Sequence, residues 1–120
     1  MKPRIDRTSF GSITIDGEVF DRDVIIRLDG QVKKRKKKLS KELYGTSHVI
    51  SRDEAEYVYQ PGAGLLIIGS GQYGMVELSD EAAIYFDDKG CEVDILPTGD
   101  AIDAWNRADG AVIGLFHVTC

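Results

Sequence analysis

Residues 64–71 read Gly-Leu-Leu-Ile-Ile-Gly-Ser-Gly, in which the apolar run Leu65 to Ile68 is bounded by glycines. A strand with one face in water alternates apolar and polar residues, whereas a strand covered on both faces is apolar throughout. The run therefore predicts a short strand that is buried on both faces, as in a parallel sheet covered by helices.

Helix signals flank this strand. Ser51-Arg52-Asp53-Glu54 is a capping box, in which the serine hydroxyl accepts from a backbone N–H and the glutamate reaches back to the cap. Ser79 and Thr98 are placed to cap two further helices, and strands are predicted at 93–96 and 111–118. The clearest apolar stripe lies on the last helix and consists of Ala101, Ala104, Trp105 and Ala108. This alternation of helices and strands indicates right-handed crossovers.

The first forty residues have the pattern of β-hairpins. Asp16-Gly17 and Asp29-Gly30 each separate short runs rich in valine and isoleucine, and Asp-Gly is a favoured two-residue hairpin turn. We therefore predict an α/β fold of three layers. It has a mixed, mainly parallel central sheet with helices on its faces and an N-terminal β-hairpin region.

Length and composition limit the architecture and the function. The chain has 120 residues, which predicts a single domain, 1–120, with a core of its own. The net charge of −5 argues against binding nucleic acid or a membrane over the whole surface. We find no secretory signal or transmembrane segment in the sequence, and the two cysteines are not spaced as metal ligands. These observations favour a cytoplasmic protein with free thiols, although a Cys91–Cys120 bridge stays open.

The segment Gly69-Ser70-Gly71-Gln72-Tyr73-Gly74 matches the spacing GxGxxG directly after the buried strand. A dinucleotide site requires such glycines to lead straight into a helix, but Met75 to Leu78 intervene here. We favour a glycine turn that allows close packing. A small anion or carboxylate held by backbone N–H groups is an intermediate interpretation, and a dinucleotide site is the least favoured.

Thr98 follows the next predicted parallel strand, so it should emerge beside Gly69–Gly74 at the carboxyl edge of the sheet. Open α/β sheets bind ligands at that edge. Ligand contact there is one interpretation of Thr98, and a plain helix cap is the favoured one.

The two histidines do not suggest a catalytic or metal site. Ser47 and His48 are adjacent, and neighbouring side chains of an extended segment point apart, which disfavours a nucleophile–base pair. His48 remains a candidate contact residue, whereas His117 is expected to lie in the core or at an edge. We identify no catalytic residues, no metal ligands and no cofactor motif, and whether the protein is an enzyme stays open.

Six consecutive residues, Lys33, Lys34, Arg35, Lys36, Lys37 and Lys38, are basic, and the remaining residues carry a net charge of −11. We favour a solvated sheet edge whose charges discourage strand pairing. The second interpretation is a docking strip for an acidic partner, including another copy of the chain. The third, a phosphate-binding strip for nucleic acid, is weakened because the run contains no aromatic residue for base stacking.

Four segments carry a resemblance to a known family. They are Ser9-Phe10-Gly11 with Ile13, Ile15 and Gly17; Gly45 to His48; Leu66 to Gly71; and Thr98 with Ala101 and Asn106. With these segments in this order, the chain resembles the MTH-nine-three-eight-like domains, which include mitochondrial complex I assembly factor 3 and an adipogenesis-associated human protein. The resemblance implies a three-layer α/β fold and an assembly or regulatory role.

The family's glycine loop maps onto Gly69 and Gly71, and its helix motif maps onto Thr98, Ala101 and Asn106. The chain departs from the family after Asn106. Many relatives have a longer helix that ends in an acid–glycine–arginine pattern, whereas Ala108-Asp109-Gly110-Ala111 is shorter and lacks the arginine. We therefore do not expect a pocket that relies on that arginine.

Three functions follow from the sequence. The first is a non-enzymatic binding or assembly module with a protein partner or a second copy. The second is a small-ligand pocket, for an anion or nucleotide, or an enzyme, built from Gly69, Ser70, Gly71, Thr98, Asn106 and His48. The third is weak nucleic-acid contact through Lys33–Lys38.

Overall fold

The computed structural model describes residues 2–120, which form ten strands and four helices. The strands are β1 (Ile5–Ser9), β2 (Ser12–Ile15), β3 (Glu18–Phe20), β4 (Val24–Ile26), β5 (Val32–Lys34), β6 (Val49–Ile50), β7 (Leu65–Ser70), β8 (Glu77–Leu78), β9 (Glu92–Leu96) and β10 (Val112–His117). The helices are α1 (Lys38–Tyr44), α2 (Arg52–Val58), α3 (Asp80–Asp88) and α4 (Thr98–Arg107).

The central sheet contains five strands in the order β5-β4-β10-β7-β9. The neighbours β10–β7 and β7–β9 are parallel, whereas β10–β4 and β4–β5 are antiparallel. The predicted mixed α/β sheet is confirmed, but it is not mainly parallel. The reason is local: helical crossovers join β7, β9 and β10, whereas the short turn at Asp29-Gly30 joins β4 to β5 and forces them to run in opposite directions.

The N-terminal strands β1, β2 and β3 form a separate antiparallel sheet. The β2–β3 turn uses left-handed backbone at Asp16, with φ of 48°, and at Gly17, with φ of 81°. Both central residues of a type I′ turn need this conformation, so the predicted Asp-Gly hairpin is confirmed.

Apolar side chains cover the central sheet on both faces. One cluster packs Ile68 and Leu115 against Phe86 of α3 and against α2. The other packs Ile67 and Phe116 against Trp105 of α4 and against the N-terminal sheet, and the rings of Trp105 and Phe116 meet edge to face at 5.8 Å. The predicted burial of β7 on both faces is therefore confirmed.

Some features have no clear sequence signal. Helix α1 begins at Lys38, the last residue of the basic run, and the two-residue strands β6 and β8 pair in parallel beside the central sheet. Cys91 and Cys120 do not form a disulfide. None of the helices within residues 2–120 has the length and hydrophobicity that a membrane crossing requires.

Candidate functional site

The glycine loop and the start of α4 are hydrogen-bonded to each other. The Gly71 N–H donates to Thr98 Oγ1 at 2.9 Å, and the Thr98 N–H donates to the Gly71 carbonyl at 3.0 Å. The Thr98 hydroxyl in turn donates to the His117 carbonyl at 2.7 Å. The two loops that follow β7 and β9 therefore meet at one edge of the sheet, as the sequence predicted. The favoured interpretation of Thr98 as a helix cap is wrong, because α4 begins at Thr98 after Pro97 and the Thr98 hydroxyl binds Gly71 and His117 instead.

The backbone of this loop is already occupied by the chain itself. The Gln72 N–H donates to the Thr119 carbonyl at 2.7 Å, and the N–H groups of Tyr73 and Met75 donate to the Cys120 carbonyl at 3.1 and 3.2 Å. Residues 119–120 therefore lie where an anion held by this loop would lie. Ligand binding at the loop stays a prediction, and a ligand there would have to displace this segment.

The other residues of the predicted ligand site have separate partners. Asn106 binds both backbone groups of Ile5 through its side-chain amide and so attaches α4 to β1. The His48 ring contacts the His117 ring edge-on, with the ring centroids 5.5 Å apart.

Gly69 and Ser70 belong to the buried strand β7. A Cβ at Gly69 would lie 2.8 Å from the Phe116 ring and 2.9 Å from the Thr98 hydroxyl. The favoured interpretation of this glycine, close packing, therefore agrees with its surroundings. Ser70 is buried.

The predicted basic patch is wrong at Arg35, because the side chain of this residue is buried rather than exposed. Its guanidinium donates to both carboxylate oxygens of Glu54, at 2.6 and 3.1 Å, and to Asp23 Oδ2 at 2.8 Å. A further bond reaches the Ser47 carbonyl at 2.7 Å. Burial alone lowers the pKa of Arg35, but the hydrogen bond and charge of Glu54, with those of Asp23, outweigh it and raise that pKa.

Glu54 departs from its predicted capping role. The Ser51 hydroxyl does accept from the Glu54 N–H at 3.1 Å, as the capping box predicts. However, the Glu54 carboxylate binds Arg35 and the Ser40 hydroxyl, and the Ser51 N–H donates to Ser40 Oγ instead. Ser40 therefore supplies the acceptor that Glu54 would supply in an isolated helix.

Asp23 completes the buried charge cluster. Its carboxylate accepts from His117 Nδ1 at 2.6 Å and from the Val118 N–H at 2.9 Å. Burial alone raises the pKa of Asp23, but these hydrogen bonds and the charge of Arg35 outweigh it and lower that pKa to about 2. Asp23 is therefore ionised at neutral pH, and the cluster ties β10 to the start of β4 and to the basic run.

Thr119, His117 and Asp23 form a hydroxyl–imidazole–carboxylate chain, since Thr119 Oγ1 lies 3.2 Å from His117 Nε2. This order occurs in nucleophilic enzymes. Here the imidazole is buried, and the nearby N–H groups of Gln72 to Met75 that could bind an oxyanion are engaged. We therefore assign a structural role to this row of three hydrogen-bonded side chains. Within residues 2–120, no cluster of side chains is arranged to hold a metal ion.

A groove of about 700 Å³ lies above the buried cluster. Its lining is almost entirely basic and consists of Arg22, Asp23, Lys33, Lys34, Arg35, Lys36, Lys37, Lys38 and Tyr57. The strand β5 carries only the first part of the basic run, and α1 begins at its last residue. Because Arg35 turns inward, the chain bends around the groove and five lysines surround it.

Tyr57 is the one aromatic residue of the groove, and the sequence did not connect it with the basic run. The Lys36 ammonium lies 4.5 Å from the centre of the Tyr57 ring, and the Arg27 guanidinium lies 6.0 Å from it. These cation–π contacts hold Lys36 in place. They also occupy ring surface that a base would need for stacking.

Comparison with known proteins places the chain in a family. The family described as "Protein of unknown function (DUF498/DUF598)" matches residues 5–111. The crystal structure of the conserved hypothetical protein PH1505 from Pyrococcus horikoshii OT3 is 33% identical, with a TM-score of 0.91 over 98% of this chain and 99% of that chain. The solved structure named MT938 is 32% identical, with a TM-score of 0.84 over 99% of this chain and 100% of that chain.

A more distant structure, from Bordetella parapertussis, is 14% identical with a TM-score of 0.75 over 98% of this chain and 96% of that chain, and it shares the fold alone. No curated protein matches the chain. The family match and the two relatives agree with the resemblance seen in the sequence. The chain therefore belongs to the DUF498/DUF598 family of proteins of unknown function, as an MTH-nine-three-eight-like domain.

Proposed function

We propose that the protein is a non-enzymatic binding module that holds an acidic segment of a partner protein in the basic groove. One observation carries the proposal: five lysines and Arg22 line a single groove of about 700 Å³ on a chain whose net charge is −5. Positive charge concentrated in a concave site attracts an anionic partner and raises the rate of association.

The groove lysines are largely uncompensated. Among the described residues, Lys33, Lys34, Lys36 and Lys38 form no salt bridge, and Lys37 lies 3.6 Å from Asp23, which Arg35 already neutralises in part. Lysine is a flexible point charge, whereas arginine offers a rigid fork to a carboxylate or phosphate. A lysine-lined groove therefore suits a partner recognised by its charge density.

Two observations favour an acidic protein segment over nucleic acid. Outside the basic run the chain carries a net charge of −11, so a long polyanion that extends beyond the groove meets a repelling surface, whereas a short segment stays beside the lysines. Furthermore, the Tyr57 ring is covered by Lys36 and Arg27, whereas non-specific single-strand binders stack bases on aromatic rings.

Fluorescence anisotropy with a labelled oligoglutamate peptide tests the proposal, and an oligothymidylate of equal charge serves as the competing probe. We expect the peptide to bind, with an affinity that falls steeply as salt is added. Lys34→Glu/Lys36→Glu should weaken binding by on the order of tenfold or more, because each lost attraction also becomes a repulsion.

The control is Arg7→Glu/Lys89→Glu, which makes the same change of charge at two exposed residues outside the groove. It should weaken binding much less. An equal loss of peptide affinity in the two double variants, or no peptide binding at low salt, would reject the groove as the site. Tighter binding of the oligothymidylate would replace the acidic protein by nucleic acid.

A further inference from the structure

The strand β5 is at one edge of the central sheet. Its register with β4 shows which of its backbone N–H and C=O groups are not hydrogen-bonded to β4. The Arg35 N–H donates to the Asp23 carbonyl at 3.2 Å, and the Arg27 N–H donates to the Gln31 carbonyl at 2.9 Å. In an antiparallel pair, hydrogen-bonded positions alternate along each strand. Residues 31, 33 and 35 therefore point their backbone groups at β4, and those of Val32 and Lys34 point away from the sheet.

These outward groups have no partner among the described residues, so the edge presents N–H and C=O groups at both Val32 and Lys34. Such an edge is a template for one more strand. Proteins that recognise extended peptides use this geometry: the main chain supplies affinity and side-chain pockets supply specificity.

A groove or cavity lies on each face of the sheet beside this edge. The basic groove lies on one side, and a cavity of about 190 Å³ between β3 and β5 lies on the other. Arg22, Lys33 and Lys34 line both of them. Since successive side chains of a strand point to opposite faces, Lys33 and Lys34 place a positive charge on each face of the edge.

We propose that β5 accepts an extended acidic segment of a partner protein as a sixth strand of the central sheet, hydrogen-bonded to Val32 and Lys34. This inference rests on the proposed function and adds the conformation of the partner. The lysines repel a basic strand and would lose hydration beside a neutral one, so the edge stays open in the isolated protein. Acidic side chains at cross-strand positions convert the same charges into attraction.

A second copy of the chain is the alternative occupant. Its acidic strand is β9, which lies at the opposite edge of the sheet and exposes Glu92 and Asp94. Joining β5 of one copy to β9 of the next is a head-to-tail contact, which continues without limit unless the rotation closes a ring. We therefore assign the edge to a different protein, and self-association is an outcome that the experiment detects.

Two labelled peptides of equal charge test the proposal. One alternates glutamate with valine and favours an extended strand with a full set of N–H donors. The other has the same sequence with every backbone nitrogen methylated, so neither of its edges offers an N–H donor to a sheet. We expect the glutamate–valine peptide to bind the wild-type chain on the order of tenfold more tightly.

A matched pair of variants locates the contact. Lys34→Pro and Lys34→Ala remove the same charge, but only the proline variant removes the outward N–H, and this N–H takes no part in the β4–β5 ladder. Lys34→Ala should retain the preference for the glutamate–valine peptide, and Lys34→Pro should lose it. Amide hydrogen exchange on the wild-type chain is independent of either variant's folding: the glutamate–valine peptide should slow exchange at Val32 and Lys34.

The outcomes separate this inference from the proposed function. If neither peptide binds, both fail. If both peptides bind equally, or exchange at Val32 and Lys34 is unchanged, the acidic module remains and the sixth strand is rejected. If light scattering shows the chain alone growing into large assemblies that Lys34→Pro disperses, the occupant is a second copy and the proposal is overturned.

Discussion

The Arg35 guanidinium and the Glu54 carboxylate, 19 residues apart in the chain, form a fully buried two-point ion pair with N–O distances of 2.6 and 3.1 Å. Arg35 also binds Asp23, so one cation neutralises charge on two buried carboxylates. This pairing draws the middle of the basic run into the interior and leaves the lysines on either side of Arg35 at the groove.

Replacing Arg35 should destabilise the fold severely. Arg35→Met keeps much of the side-chain volume but leaves the buried Glu54 with no cationic partner and removes one of the cations that pair with Asp23, which costs about 3–5 kcal/mol. Lys34→Met removes a neighbouring exposed charge and should change the free energy of unfolding by about 0.5 kcal/mol or less. Urea denaturation measures both values. Similar small losses in the two variants would show that the ion pair contributes little.

The stability of the fold should decrease in acid because of Asp23. The pKa of Asp23 in the folded chain is about 2, below the ordinary value of 3.8, so the ionised carboxylate stabilises the fold. This contribution is complete above the ordinary pKa and is lost as the pH falls through the folded value, and its size is about 2 kcal/mol.

Asp23→Asn removes this titration and serves as the reference. The difference in unfolding free energy between the wild type and Asp23→Asn should shrink by about 2 kcal/mol as the pH falls from about 5 to about 2. A difference that does not change with pH would contradict the assigned pKa.

Gly71 should not tolerate a side chain. Its φ is +107°, and a Cβ there would lie 2.3 Å from the Cys120 backbone, so Gly71→Ala must displace residues 119–120. We expect a loss of about 2–4 kcal/mol from backbone strain and overpacking together. Faster amide hydrogen exchange at Gln72, Tyr73 and Met75 should accompany it, because their acceptors lie in the displaced segment.

Gly90→Ala is the control for this prediction. Gly90 has a similar left-handed backbone, with φ of +67°, but a Cβ there meets nothing within 4 Å. Gly90→Ala should lower the free energy of unfolding by about 1 kcal/mol, from backbone strain alone. Equal losses at the two glycines would mean that residues 119–120 do not pack on the loop in solution.

The Thr98 hydroxyl should contribute more to the free energy of unfolding than the Thr98 methyl group does. Thr98→Val keeps the shape but leaves the buried Gly71 N–H and the His117 carbonyl without that partner, at a cost of about 1–3 kcal/mol. Thr98→Ser keeps the hydroxyl and should lose only about 1 kcal/mol or less. A serine variant less stable than the valine variant, in thermal unfolding, would contradict this role.

Several elements could be predicted from the sequence because their signals are local. The unbroken run Leu65 to Ile68 indicates a strand buried on both faces, and the stripe of α4 indicates which side of that helix meets the sheet. The Asp16-Gly17 turn follows from backbone sterics. In each case, residues within about ten positions contain the whole signal, so periodicity and turn chemistry suffice.

The candidate site depended on contacts that are distant in the chain. Lys33 to Lys38 form one basic run, and the only local difference at Arg35 is that it is the arginine of the run, which does not by itself show that it is buried. Arg35 turns inward because Asp23 and Glu54 lie below it in the folded chain, and His117 reaches Asp23 across 94 positions. A buried charge is stable only where the fold supplies its partners, so the sequence determined the strands, the helices and the total charge, whereas the tertiary structure alone decided which cation is buried and which cations face the groove.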